Sequence, residues 1–175
     1  MSSLLLHLGA YDERLLLLLL ARRRPLLDLL MRGVTHLADG AVAVAFALVM
    51  MSGVIPEVAG VGARIAWTLG ISHFVVQGMK RIFTRRRPHF APGFAWLVEV
   101  PDRFSFPSGH ATAAMSLALP LALFFGGITG SLVLTLGALV GLSRCYLGVH
   151  YPGDVLAGWG LAASTLAVVV ASGLA

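Results

Sequence analysis

Apolar residues in this chain come in long uninterrupted blocks, not in the alternating or one-face patterns of half-buried elements. Residues 40–55 carry no charge and predict a membrane helix, opened by Asp39-Gly40 and closed by Pro56-Glu57. Residues 59–79 predict a second helix that ends at Lys80. Further helices are expected over 108–125, 131–146 and 152–174, with a tight turn at 126–130 (Gly-Gly-Ile-Thr-Gly). Between the second and third helices, residues 84–107 form a polar loop with prolines at 88, 92, 101 and 107. That loop also holds Phe90, Phe94, Trp96, Phe104 and Phe106, an aromatic density suited to a membrane interface. No repeat of fixed period is present.

The first 38 residues break this pattern. The leucine run 15–20 is too short to cross a bilayer, which takes about 20 apolar residues. Arg22, Arg23, Arg24 and Pro25 follow it, and the next apolar piece carries Asp28, Arg32 and His36. We expect one or two helices lying in the interface; the alternative is a tilted first span with snorkelling arginines. Asp12 and Glu13 interrupt the first apolar stretch and no small-residue cleavage site follows it, so no cleavable signal peptide is expected. The expected architecture is all-α: an integral membrane bundle of five to six transmembrane helices, with residues 1–38 as an interfacial segment and 39–175 as the membrane core.

Composition agrees with a membrane protein. Of the 175 residues, 58% are hydrophobic and only 12% charged, against about 25% charged in soluble domains; mean hydropathy is +0.87. The net charge of +5 raises nucleic acid as a partner, but six of the thirteen basic residues fall between Lys80 and Arg103, beside an apolar run. A local phosphate site explains that placement better than a polyanion-binding face, so no nucleic-acid partner is expected. The single cysteine, Cys145, excludes an internal disulfide and a cysteine-rich metal site.

Three polar stretches sit at the ends of apolar blocks, and the helix order puts all of them on one side of the membrane. The first runs from Lys80 to Pro88. Lys80, the one lysine, is a point charge and Arg87 a planar fork, and both suit phosphate. The plain alternative is a basic flank that orients the helix, and that is the expected role of Arg81, Arg85 and Arg86. The second stretch, Pro107-Ser108-Gly109-His110, opens a helix. Unpaired amides there make an anion site, to which Ser108 adds a hydroxyl and Gly109 close backbone access. An ordinary helix cap beside an interfacial histidine would read the same way. With a histidine's unperturbed pKa near 6.5, His110 could serve as general acid.

The third stretch is Ser143 to Asp154. Arg144 can bind phosphate oxygens. Pro152 suits a first helical position, which places Asp154 in the first turn, within reach of His150. A carboxylate on one imidazole nitrogen fixes the tautomer and leaves the other nitrogen free to attack. Taken alone, a histidine four residues before an aspartate reads equally as a capping carboxylate beside an interfacial histidine.

In order, Lys-x6-Arg-Pro, Pro-Ser-Gly-His and Ser-Arg-x5-His-x3-Asp, this chain strongly resembles the type 2 phosphatidic acid phosphatase family of membrane lipid phosphatases. The resemblance covers residues 80–154 and leaves the first 38 residues outside it. It implies that His150 attacks phosphorus to form a phosphohistidine, that Asp154 activates it and that His110 protonates the leaving oxygen. Lys80, Arg87, Arg144, Ser108 and the Gly109 amide would bind the phosphate. It also implies that no metal or other cofactor is needed; the remaining acidic residues, Asp12, Glu13, Asp28, Asp39, Glu57, Glu99 and Asp102, form no motif of metal-ligand spacing.

The implied substrate is a lipid phosphomonoester or diphosphate in the bilayer: undecaprenyl diphosphate or a broad range of lipid phosphates, with phosphatidylglycerophosphate and phosphatidic acid as alternatives. The same motifs resemble vanadium haloperoxidases, but those are soluble. A lipid phosphotransferase would differ only in the acceptor. A non-enzymatic lipid transporter would have no use for a paired His150–Asp154 and a second histidine at 110. The resemblance further implies a bacterial inner membrane with the site on the extracytoplasmic face, whereas the positive-inside rule would put the arginine-rich 81–103 loop in the cytoplasm. A phosphate-binding role for those cations resolves the conflict in favour of the outer face.

Overall fold

A computed structural model describes residues 3–89, 95–100 and 102–174. Seven α-helices are present among them: α1 (Ser3–Leu20), α2 (Pro25–His36), α3 (Gly40–Met51), α4 (Ala59–Phe83), α5 (Gly109–Phe125), α6 (Gly127–Tyr146) and α7 (Pro152–Ala171). A 3₁₀ turn, Pro56–Val58, leads into α4. No strand occurs among the described residues, apart from one antiparallel bridge between Arg86 and Phe104.

α5 is the axis of the bundle and packs against α3, α4, α6 and α7. Its buried face is built from small residues, including Ala111, Ala113, Ala114, Ala118 and Ala122. Without a hydrophobic driving force inside a bilayer, helices associate through such close backbone approach. Gly158 of α7 shows how close: a Cβ there would lie 2.8 Å from Thr112 Oγ1 and 2.9 Å from the Ser108 carbonyl oxygen. Large side chains point outward instead, among them Phe74, Ile82, Leu123, Leu132, Leu156 and Val168, as lipid-facing surfaces require.

By length and composition, α6 and α7 each suffice to cross a membrane, and α2 with α3 passes as one bent unit with a 49° break. Five to six spans are expected from the sequence. α5 falls short in length at 17 residues, and α4, though 25 residues long, carries Arg64, Lys80 and Arg81. The expected turn over 126–130 is shorter than predicted. Gly126 and Gly127 take positive φ values of 62° and 48°, reverse the chain between them, and let α6 begin at Gly127.

The helix order brings one end of each core helix together. The C-terminal ends of α4 and α6 meet the N-terminal ends of α5 and α7, with Asp39, at the break before α3, beside His110. α1 packs at this end too: Leu16 is fully buried against Ala111, Cys145 and Val155. α2 packs on α6. Phe90, Pro92, Phe94 and Pro101 lie outside the described residues.

Candidate active site

α4 ends by strain. Thr84, a β-branched residue, adopts the left-handed conformation (φ 45°, ψ 27°) and its amide caps the Lys80 carbonyl. The chain then turns back over the bundle. Ser105 N–H donates to the Arg85 carbonyl at 2.8 Å, and the Arg86–Phe104 bridge fixes the register. These contacts decide how the three consecutive arginines divide: Arg87 is buried, Arg85 half-buried and Arg86 exposed. Arg87 donates from Nη1 to the Val149 carbonyl (2.9 Å) and to His150 Nε2 (3.1 Å), and from Nε to the Asp102 carbonyl (2.8 Å).

Lys80 and Arg144 flank the same space. Lys80 is 7% and Arg144 2% exposed, burial that long cations rarely tolerate without a partner. Lys80 Nζ meets Asp102 Oδ2 at 2.6 Å, and Arg87 Nη2 meets Asp102 Oδ1 at 3.2 Å. Arg144 donates to Thr35 Oγ1 at 2.8 Å, and its Nε has no hydrogen-bond partner among the described residues. Two cations thus share the Asp102 carboxylate while a third, Arg144, has no carboxylate partner among the described residues, and the excess of positive charge suits a phosphate monoester of about −2. Burial works to raise the Asp102 carboxyl, but hydrogen bonds from Lys80 and the charges of Lys80 and Arg87 outweigh it and hold it below the ordinary carboxylate range.

His150 sits in the link between α6 and α7, 1% exposed. Its Nε2 accepts from Arg87, so the ring proton belongs on Nδ1, which faces Asp154 Oδ2 at 3.6 Å. That separation is just beyond hydrogen-bond reach. Burial, reinforced by the Arg87 and Arg144 charges and opposed by Asp154, pushes His150 down to about 3. The imidazole is therefore neutral at physiological pH, with its Nε2 lone pair turned toward Arg87. Asp154 is held by its own helix end: Oδ2 accepts from the Tyr151 amide at 2.9 Å, as an acidic residue in a first turn does.

Ser108 caps α5. Its Oγ accepts from the Ala111 amide at 3.4 Å, and its own amide donates to the Asp154 carbonyl at 3.0 Å, tying the starts of α5 and α7 together. Gly109 opens the helix, and only Val76 Cγ1, at 4.0 Å, approaches its missing Cβ. His110 Nε2 lies 2.9 Å from Asp39 Oδ1, whose other oxygen meets His36 Nδ1 at 2.7 Å.

All eight residues singled out from sequence gather at this end of the bundle. Four others belong to it that sequence reasoning placed elsewhere or passed over. Arg85, expected as a flank charge, forms ion pairs of 2.7 Å with both Asp154 and Asp12. Asp102 closes on Lys80 and Arg87, and Asp39 on His110. Only Asp102 left a trace in the sequence, a lone acid eight residues before His110; Asp12 and Asp154 are separated by most of the chain.

The arrangement gathers three cations, two histidines and Asp154 at one end of an apolar helical bundle. The PAP2 superfamily profile matches residues 62–174, and the chain belongs to that superfamily. It is 41% identical over 113 residues to decaprenylphosphoryl-5-phosphoribose phosphatase of Mycobacterium tuberculosis, covering 64% of this chain and 58% of that protein. Against phosphatidylglycerophosphatase B of Bacillus subtilis it is 30% identical over 150 residues, 79% of this chain and 71% of the relative. The crystal structure of a transmembrane PAP2-type phosphatidylglycerolphosphate phosphatase from Bacillus subtilis superposes with a TM-score of 0.78 at 27% identity, over 94% of this chain and 85% of that one. Aquifex aeolicus LpxE shares the fold, with a TM-score of 0.76 at 23% identity over 90% and 93% of the two chains.

Proposed function

We propose that this protein is a metal-independent lipid phosphatase that hydrolyses a phosphomonoester or diphosphate through a phosphohistidine on His150. One observation carries the reading: a neutral, buried imidazole turns its Nε2 to Arg87, and buried Lys80 and Arg144 lie at the same end of the bundle. In the first step Nε2 attacks phosphorus, the bond to the lipid oxygen (or bridging diphosphate oxygen) breaks, and His110 gives that oxygen a proton. The three cations, with Ser108 and the Gly109 amide, hold the non-bridging oxygens where charge develops. Asp154 steadies the Nδ1–H side of the ring as it becomes cationic. In the second step water attacks phosphorus, the P–N bond breaks, His110 takes the water proton, and inorganic phosphate leaves.

The proposed substrate is undecaprenyl diphosphate or a broad range of lipid phosphates. Relatives named for polyprenyl-phosphoryl and glycerophospholipid substrates both support that breadth. The proposed location is a bacterial inner membrane with the site on the extracytoplasmic side.

The test is phosphate release by detergent-purified protein in EDTA from undecaprenyl diphosphate, phosphatidylglycerophosphate and phosphatidic acid. Release should survive EDTA and vanish in His150→Ala. Lys80→Ala and Arg144→Ala should each lose about 10²-fold or more, as when a clamp on the transferring group is removed. Near-normal turnover in His150→Ala would remove the nucleophile assignment.

A further inference from the structure

Asp154 is a fully buried carboxylate. A buried charge needs a partner, and the neutral His150, 3.6 Å away, does not supply one. The partner is Arg85, whose Nη1 lies 2.7 Å from Asp154 Oδ1. The other guanidinium nitrogen, Nη2, lies 2.7 Å from Asp12 Oδ2 on α1, and the same guanidinium sits 4.1 Å above the Tyr151 ring. Asp12 in turn accepts from the Gly153 amide at 2.7 Å. A Cβ on residue 153 would lie 2.9 Å from Asp12 Oδ2, so a side chain there would have to displace the Asp12 carboxylate. Leu16, one turn further along α1, is buried against the starts of α5 and α7, so α1 is anchored beside the carboxylate it presents.

We propose that Asp12 and Arg85 are positioning residues for the phosphatase chemistry. Together they hold one oxygen of Asp154, so that its other oxygen is aimed at His150, and they make α1 a working part of the active site although it lies outside the family's matched region. This rests on the reading of His150 as nucleophile. Arg85 neutralises the Asp154 charge and fixes its rotation. Asp12 compensates Arg85 and holds the second nitrogen of its fork, so that one guanidinium bridges both carboxylates. The charged groups facing His150 are Arg87, Arg144 and Asp154. Those facing Asp154 are Arg85 and His150, with Asp12 behind Arg85 and neutral Tyr151 and Cys145 alongside. Removing the Arg85 charge leaves the Asp154 field on His150 unopposed and favours the protonated ring. Removing the Asp12 charge does the reverse.

The experiment compares Arg85→Gln, Arg85→Lys and Asp12→Asn with wild type, on whichever lipid of the panel wild type hydrolyses best. Glu13→Gln, on the exposed side of α1, serves as the control. Arg85→Gln and Asp12→Asn should lower kcat by about 10–100-fold with KM within a few-fold, the scale of losing a group that orients a reacting one. The acid limb of the kcat/KM profile should move to higher pH in Arg85→Gln. In Asp12→Asn it should stay or move lower, and Arg85→Lys should restore the limb. A purely structural role would lower activity in both variants with no difference between their limbs, and that result, or wild-type kcat in Asp12→Asn, overturns the proposal. Wild-type protein that releases phosphate from no lipid would instead remove the underlying phosphatase reading.

Discussion

His150 is neutral because its surroundings make a charged ring costly, and this has a thermodynamic consequence. Its ordinary pKa near 6.5 applies in the unfolded chain, while burial and the Arg87 and Arg144 charges depress it to about 3 in the fold. Between those values the unfolded state binds the extra proton, so folding stability is greatest above about pH 6.5 and is lost as pH falls toward 3. Thermal unfolding in detergent from pH 7 to 4.5 should therefore show a midpoint that drops with acidification, and drops less steeply in His150→Gln. Equal slopes would mean that the folded protein binds the proton too. The motif spacing singled out Arg87, and Arg87 lies 3.1 Å from His150. It left Arg85 as a flank charge, because the inward turn of Arg85 depends on the left-handed Thr84 and on Ser105 bonding to the Arg85 carbonyl. Nor could it show Asp39 or Asp12 at the site, since each reaches it through tertiary packing, and the trace left by Asp102 did not name its partners.

Among the elements, α5 and α7 carry the site as a pair. Charge-free apolar blocks made both helices readable from sequence, and Ser108 and Pro152 marked their starts. What sequence could not supply was their separation, which is set at Gly158. A side chain there pushes on the Ser108 carbonyl and Thr112, and so on the first turn of α5, which presents Ser108, Gly109 and His110. Gly158→Val should lower kcat by about 10-fold or more and lower the thermal midpoint, since overpacking typically costs about 1–3 kcal/mol. Gly160, with nothing within 4 Å of its missing Cβ, should accept alanine with activity unchanged. If Gly158→Val retains full activity, the α5–α7 spacing does not govern the chemistry.

At the scale of the whole molecule the open choice is which face of the membrane the site occupies. A count of basic residues puts the site end in the cytoplasm, because Lys80, Arg85, Arg86, Arg87, Arg103 and Arg144 all lie there. The structure changes the weight of that count. Lys80 and Arg87 are bound to Asp102, Arg85 to Asp12 and Asp154, and Arg144 to Thr35. Cations fixed in the proposed phosphate site are accounted for by chemistry, so their number is weak evidence of orientation. The extracytoplasmic placement can be tested by labelling, because the single cysteine, Cys145, is buried. In a Cys145→Ser background, Arg103→Cys marks the exposed loop at the site end and Glu57→Cys the exposed link at the opposite end. A membrane-impermeant maleimide added to intact spheroplasts should modify Arg103→Cys and reach Glu57→Cys only after lysis. The reverse pattern would place the site in the cytoplasm, and the proposed lipid substrate would then be one of the inner leaflet.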